Sequence, residues 1–293
     1  MTDCPRGRAR LARPVAVIAL GLAVSACGSG LPGPAAPSAP LTAQAPAPSP
    51  SPAPAVQAPS SSPPPTSPSP FTAEPLAGKV IGIDPGHNGG NFTDPGAISK
   101  QVWNGREMES CDTTGTDTVS GYTEALFNFN VARYLRADLR RDGARVVMTR
   151  TTNSGVGPCV DRRAQIINQA GANVAIDIHA DGGPSTGRGF TVLEPVADGP
   201  NDSVVASSQQ FGRDVRQAFL AGTAMPVSTY EGTSGIMPRN DLAGLNLTRV
   251  PKVLIECGNM RNGTDASLLV SGRFQRQVAG VLTVAIIRFL GQG

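Results

Sequence analysis

The sequence predicts a single α/β domain in which a mostly parallel, twisted sheet carries helices on both faces. Beyond Gly78, short Val- and Ile-rich runs alternate with longer segments of helical periodicity, the pattern of strands joined by helical crossovers. The runs 79–83, 145–149, 173–179 and 252–256 lack a clean apolar–polar alternation, as strands buried on both faces do. The chain's two histidines, His87 and His179, each close one of these runs, at the carboxyl end of a strand where open α/β sheets keep their ligand crevice.

The chain opens with segments of another kind. Arg6, Arg8, Arg10 and Arg13 precede an apolar run, Pro14 to Val24, that is too short to span a bilayer stably. Residues 1–26 therefore read as an export signal. Val24-Ser-Ala-Cys27 resembles the lipobox of bacterial lipoproteins, which makes Cys27 the expected first mature residue and lipidation site; plain signal cleavage is the alternative. Residues 27–77 form a Pro/Ala/Ser-rich segment holding more than half of the 27 prolines, a composition expected to act as a disordered, semi-rigid tether. The catalytic-type domain is expected over 78–293. The signal's arginines account for the formal charge of +3, so the mature chain is near neutral and carries no basic patch suited to nucleic acid.

The first strand ends in Asp84-Pro-Gly-His87, a tight turn. A polar, Gly-rich connection follows over 88–121, long enough to suggest function. Residues 122–142 read as a helix, with Phe127, Val131, Leu135 and Leu139 on one face and Gly143 at its end. Glu124 shares that buried face in the first turn. The second strand spans 145–149, and Asp161 is expected to cap a helix running to Ala170. Strands over 173–179 and 188–194, a helix over 202–221, a strand over 252–256 and a closing helix over 274–290 complete the domain. The segment 235–246 reads as a loop.

His87, Glu124 and His179 form a candidate zinc set, because catalytic zinc takes three protein ligands and keeps one position open. Each histidine alone is more often structural than ligating; their shared placement at strand ends, with a buried carboxylate, changes that balance. Hydrolysis by a metal-bound water also needs a proton acceptor, and Glu256 closes strand 252–256 on the same edge of the sheet. Its plain reading is a salt-bridging carboxylate. Asp177 lies two residues before His179 on one strand face and is the expected acceptor for that ligand's second N–H.

Asp84-Pro-Gly-His87, Glu124 with Asn128 one turn on, Asp177-Ile-His-Ala180 and Ile255-Glu-Cys-Gly-Asn259 together resemble zinc-dependent N-acetylmuramoyl-L-alanine amidases of the amidase-3 class. The resemblance spans about Gly78 to the C-terminus. It implies one Zn2+ on His87, Glu124 and His179, Glu256 as the catalytic glutamate, Asn128 near substrate, and peptidoglycan as partner, cut between the muramyl lactyl group and L-alanine. A zinc peptidase on stem peptides and a catalytically silent wall-binding lipoprotein are the alternatives. Arg239, in the loop 235–246, offers a planar fork for a stem-peptide carboxylate. The expected setting is the cell envelope, with a possible lipid anchor to the membrane and a monomeric catalytic domain.

Cysteine usage agrees with export. Cys111 and Cys159 lie in polar loops that emerge near the same sheet edge and are expected to pair, whereas Cys257 sits in a buried strand end as a packed thiol. A cysteine nucleophile at Cys257 is disfavoured because a metal makes better use of both histidines.

Overall fold

The computed structural model describes residues 74–292, so the signal segment, Cys27 and most of the tether lie outside the described residues. The sheet is built from β1 (Val80–Pro85), β4 (Arg145–Met148), β5 (Val174–Asp181), β6 (Thr191–Pro195), β7 (Ile236–Arg239) and β8 (Lys252–Asn259), in the order β4-β1-β5-β8-β6-β7. Every neighbouring pair is parallel except β6 with β8. Helices α2 (Glu124–Arg141), α4 (Val205–Gly222) and α7 (Gly272–Leu290) pack on one face, α3 (Val160–Gln169) and α5 (Ala243–Asn246) on the other.

Strand alternation divides the chemistry from the core. Ile81 and Ile83 of β1, Ile176 and Ile178 of β5, and Val253 and Ile255 of β8 enter the main core beneath α2, α4 and α7. The intervening residues, Asp84, Asp177, His179, Lys252 and Glu256, therefore face the α3 side. Burying a strand with charged residues on one face requires internal partners for each of them. The site supplies those partners for Asp84, Asp177, His179 and Lys252, and leaves Glu256 Oε2 without one.

Several elements differ from the sequence expectation. Leu76, placed within the tether, is fully buried in the main core, and its N–H donates to the Asp142 carbonyl at the end of α2. The connection after β1 contains a 3-10 turn at Asn91–Thr93, a short helix α1 (Pro95–Ile98) and an antiparallel ribbon of β2 (Gln101–Trp103) and β3 (Met108–Ser110). Strands of three residues are too short to show a period. The Asn104 side chain, accepting from the N–H groups of Arg106 and Glu107, makes their turn.

Asp161 sits inside the first turn of α3 and does not cap it; the N-cap is Cys159, held extended in a disulfide with Cys111. The strand expected from Arg188 begins at Thr191 and runs antiparallel to β8. The expected loop 235–246 holds β7, which pairs with β6, and the single turn α5. A further helix, α6 (Gly263–Leu269), capped by Asn262, precedes the closing one. No helix among the described residues is long and apolar enough to cross a membrane.

Candidate metal centre

The site begins with the turn that ends β1. His87 adopts φ 55°, a left-handed conformation uncommon for a residue with a side chain. Two buried arginines over-determine this backbone. Arg150 donates from Nε to the Pro85 carbonyl at 2.8 Å and from Nη2 to the Gly86 carbonyl at 3.1 Å, and also reaches the Ala125 carbonyl in α2 at 2.8 Å. Arg163 of α3 donates to the Pro85 carbonyl at 2.7 Å and the His87 carbonyl at 2.9 Å. Gly86 must be glycine, because a Cβ there would lie 2.2 Å from the His179 ring.

Glu124 then reaches the same point from the first turn of α2, capped by Thr123, where the helix dipole favours a carboxylate. Its Oε1 is 2.8 Å from His179 Nδ1, and its Oε2 is 3.2 Å from His87 Nε2. The N–H groups of Ala180 and Thr116 donate to the same carboxylate at 3.3 and 3.0 Å. The imidazoles stand edge to face, centroids 4.9 Å apart. One ligand atom from each of His87, Glu124 and His179 lies within 4.8 Å of the others. Two nitrogens and one hard anion, converging from three elements, are a donor set suited to zinc.

The outer nitrogen of each imidazole faces a carboxylate. His87 Nδ1 is hydrogen-bonded to Asp112 Oδ1 at 3.1 Å. His179 Nε2 lies 3.3 Å from Asp177 Oδ1, a charge contact without hydrogen-bond alignment. Behind them the two aspartates meet two buried cations: Arg163 Nη2 is 3.3 Å from Asp112, and Lys252 Nζ is 3.5 Å from Asp177. Both cations converge on Asp84, at 2.9 Å each, and Thr149 Oγ1 donates to Asp84 at 2.6 Å. Asp84 is thus the common anchor of two chains, one ending at each histidine.

These charges set the ionisation of the site. Burial opposes the Asp84 carboxylate, but Lys252 and Arg163 outweigh it and hold the group well below the usual carboxylate range. Burial likewise opposes the His87 imidazolium; the Glu124 charge and the bonds to Asp112 and Glu124 prevail and push it up to about 9. His179 is raised against its burial by Asp177 and then Glu124. Glu124 stays ionised against its own burial because both histidines face it.

Glu256 sits beside this cluster. It is the register partner of His179 across β5 and β8, so the two side chains leave the sheet on one face. Burial raises its carboxyl well above the ordinary value; His179 lowers it, while Glu124, Asp181 and Glu231 raise it further. Its Oε2 is buried without a hydrogen-bond partner. A cavity of about 200 Å3 opens against the histidines, walled by Asp112 and Ser110 on one side and Leu242 and Gly244 on the other.

Two expected substrate contacts are placed otherwise. Asn128 is fully buried, and its amide donates to the Gly86 carbonyl at 3.1 Å and to Glu124 Oε1 at 3.3 Å, so it braces a carboxylate rather than facing a ligand. Arg239 spends its planar fork on its neighbour Asp241, with both bonds at 2.6 Å. Asp177 lies beside His179, but its Oδ1 accepts no hydrogen bond from that ring, and its other oxygen faces Lys252. Cys257 is buried and free, and burial raises its thiol far from a reactive range. The sequence reading missed Asp112, Arg150, Arg163 and Lys252. Only Lys252, a charge at the start of an apolar strand, left a signal that could have been followed.

An α/β sheet that gathers a two-histidine, one-carboxylate cluster at its carboxyl edge, with a free carboxyl on the next strand, defines a metal-site hydrolase class. Residues 81–288 match the family described as N-acetylmuramoyl-L-alanine amidase. Over 222 residues the chain is 39% identical to the N-acetylmuramoyl-L-alanine amidase Rv3717 of Mycobacterium tuberculosis, covering 73% of this chain and 88% of that one. Its fold resembles the crystal structure of the amidase Ami1 from Mycobacterium smegmatis, with TM-score 0.70 and 40% identity over 74% of this chain and 99% of the other. Apo Ami1 from Mycobacterium abscessus gives TM-score 0.69 and 38% identity over 73% of this chain and 100% of that one. The chain belongs to the N-acetylmuramoyl-L-alanine amidase family, and it is an amide hydrolase.

Proposed function

We propose that this chain cuts the amide between N-acetylmuramic acid and L-alanine in peptidoglycan, with a zinc ion held by His87, Glu124 and His179 and with Glu256 as the proton-transferring group. The observation that carries the reading is the convergence of those three ligand atoms within 4.8 Å, on a sheet edge that also presents Glu256. When bound, zinc supplies Lewis acidity, drawing the pKa of a water toward about 7 and polarising the scissile carbonyl. Asp112, hydrogen-bonded to His87, orients that imidazole so that its other nitrogen stays toward Glu124, and Asp177 places a negative charge beside the outer nitrogen of His179. Glu256 takes the proton of the attacking water and returns it to the leaving L-alanine nitrogen.

The envelope is the setting that this substrate requires. Export through residues 1–26, acylation of Cys27 and the Pro/Ala/Ser-rich tether ahead of Leu76 would hold a monomeric domain near the wall, without nucleic-acid partners. Mass spectrometry of the mature N-terminus tests the anchor: an acyl-modified Cys27 supports it, and an unmodified N-terminus removes it.

Product analysis tests the activity. Purified chain incubated with peptidoglycan should release intact stem peptides beginning with L-alanine, should stop on chelation and should resume on adding zinc. Shortened stems or single amino acids would favour the peptidase alternative. Undiminished release under chelation would remove the metal.

A further inference from the structure

Glu256 has neighbours on both sides, and the reaction described above uses only one of them. On the β5 side its register partner is His179. On the β6 side it is Thr191, across an antiparallel pair, so all three side chains leave the same face of the sheet. Glu231 closes over Thr191 from the turn that leads into β7. Ser228 Oγ accepts from the N–H groups of Tyr230 and Glu231 at 3.3 and 3.2 Å. Gly232, at φ 67°, lets the chain press in, since a Cβ there would lie 3.1 Å from Thr191 Cγ2.

The protein leaves the acceptors of this corner unmet. Glu231 Oε1, Glu256 Oε2 and Thr191 Oγ1 are buried, and none has a hydrogen-bond partner among the described residues. Thr191 as a whole is 0% exposed. The neighbouring groups are spent: Asp181 accepts the Tyr230 hydroxyl at 2.7 Å, and Arg239, whose charge reaches both glutamates, gives its fork to Asp241. Burial raises the Glu231 carboxyl, and the Asp181 charge adds to that. Both glutamates keep an exposed fraction, so a ligand reaches them from solvent. Two carboxylates and a hydroxyl without donors suit a positive group bearing several N–H bonds, which an ammonium is.

The position names the group. Glu256 returns a proton to the leaving L-alanine nitrogen, so that nitrogen comes within hydrogen-bond reach of Glu256. The metal ligands occupy the β5 side of Glu256, which leaves the β6 side to the nitrogen. We infer that Glu231 and Thr191 form, with Glu256, an acceptor site for the departing amino group of L-alanine. The inference rests on the amidase reading, and it adds the residues that hold the new N-terminus. As the C–N bond breaks, its electron pair stays on nitrogen. One proton arrives from Glu256, and a second, shed by the new lactyl carboxylic acid, arrives through water to complete the ammonium.

The probe is the product itself, a stem peptide with a free N-terminal L-alanine, set against the same peptide N-acetylated, which has no ammonium. By calorimetry on the full chain at neutral pH, the free peptide should bind about tenfold tighter, with or without chelator. Glu231→Gln should erase that preference and Glu231→Asp should keep part of it. Thr191→Val, which removes only a hydroxyl, should reduce it independently. Glu231→Gln keeps the size of the side chain and removes a buried charge without an internal partner, so its melting temperature should not fall. Equal binding of the two peptides by the parent, or an unchanged preference in Glu231→Gln, overturns the site. A preference that vanishes on chelation and survives in Glu231→Gln assigns the amine to the metal and overturns it as well. A chain that releases stem peptides yet shows no preference loses this inference alone. One that shows the preference, loses it in Glu231→Gln and releases no stem peptide keeps the site and loses the amidase reading.

Discussion

At the residue scale the two glutamates of the site make opposite predictions. Glu256→Gln removes a proton acceptor and no ligand, so zinc content should hold while turnover falls by about 10²–10⁴-fold. Glu124→Gln removes the anion that both imidazoles face, so zinc content should fall, with activity partly restored by excess metal. Metal analysis beside turnover for both variants separates the roles; full activity in Glu256→Gln would move the base elsewhere. Asp112→Asn probes the support behind a ligand. It keeps the size of the side chain but weakens the acceptor for His87 Nδ1 and the partner of Arg163. Zinc affinity, measured by chelator competition, should drop about 10–100-fold. Unchanged affinity would reduce Asp112 to a structural ion pair.

At the element scale the Cys111–Cys159 disulfide ties the end of the ribbon to the start of α3 across a separation of 48 residues. Those segments carry Asp112 and Arg163, so the bridge holds two supports of the β1 turn together. In the chain-entropy model a loop of this size is worth roughly 4 kcal/mol, less any native strain. Cys111→Ala/Cys159→Ala should therefore unfold at lower denaturant, with a loss of about 2–4 kcal/mol. A midpoint equal to the parent's would show that the Asp84–Arg163–Asp112 contacts suffice. The sheet teaches a related point. β6 runs against β8, yet all five of its residues are buried, as in a parallel strand, because α4 and α5 cover both of its faces.

At the scale of the whole molecule, stability should carry a pH signature from a residue far from chemistry. Glu194 of β6 is 6% exposed, its Oε1 has no hydrogen-bond partner, and a Cβ on Gly212 would touch it at 2.2 Å. Burial raises its carboxyl to about 7, with Arg213 offsetting part of the effect. Between the ordinary glutamate value of 4.5 and about 7, the folded chain binds more protons than the unfolded one. Its contribution to stability therefore falls as pH rises through that window, and the full penalty is present above it. Glu194→Gln should gain about 1–3 kcal/mol over the parent at pH 8 and little at pH 4, read from denaturant melts at both. Equal differences at the two pH values would reject the assignment.

The sequence by itself determined the fold class and the order of the main strands and helices, and it singled out His87, Glu124, His179 and Glu256 as candidates for the chemistry. Those features are written locally. Apolar runs and helical periods specify elements, and strand ends bearing the chain's two histidines specify an edge. Only the tertiary structure decided what stands behind the ligands. Asp84 meets Lys252 across 168 residues and Arg163 across 79, and no local pattern encodes a partner at such separations. The same holds for Asn128 and Arg239, whose residue types suit a ligand equally well. Burial beneath Gly86 and an ion pair with Asp241 decided their contacts, because a polar group takes the partner that packing brings to it.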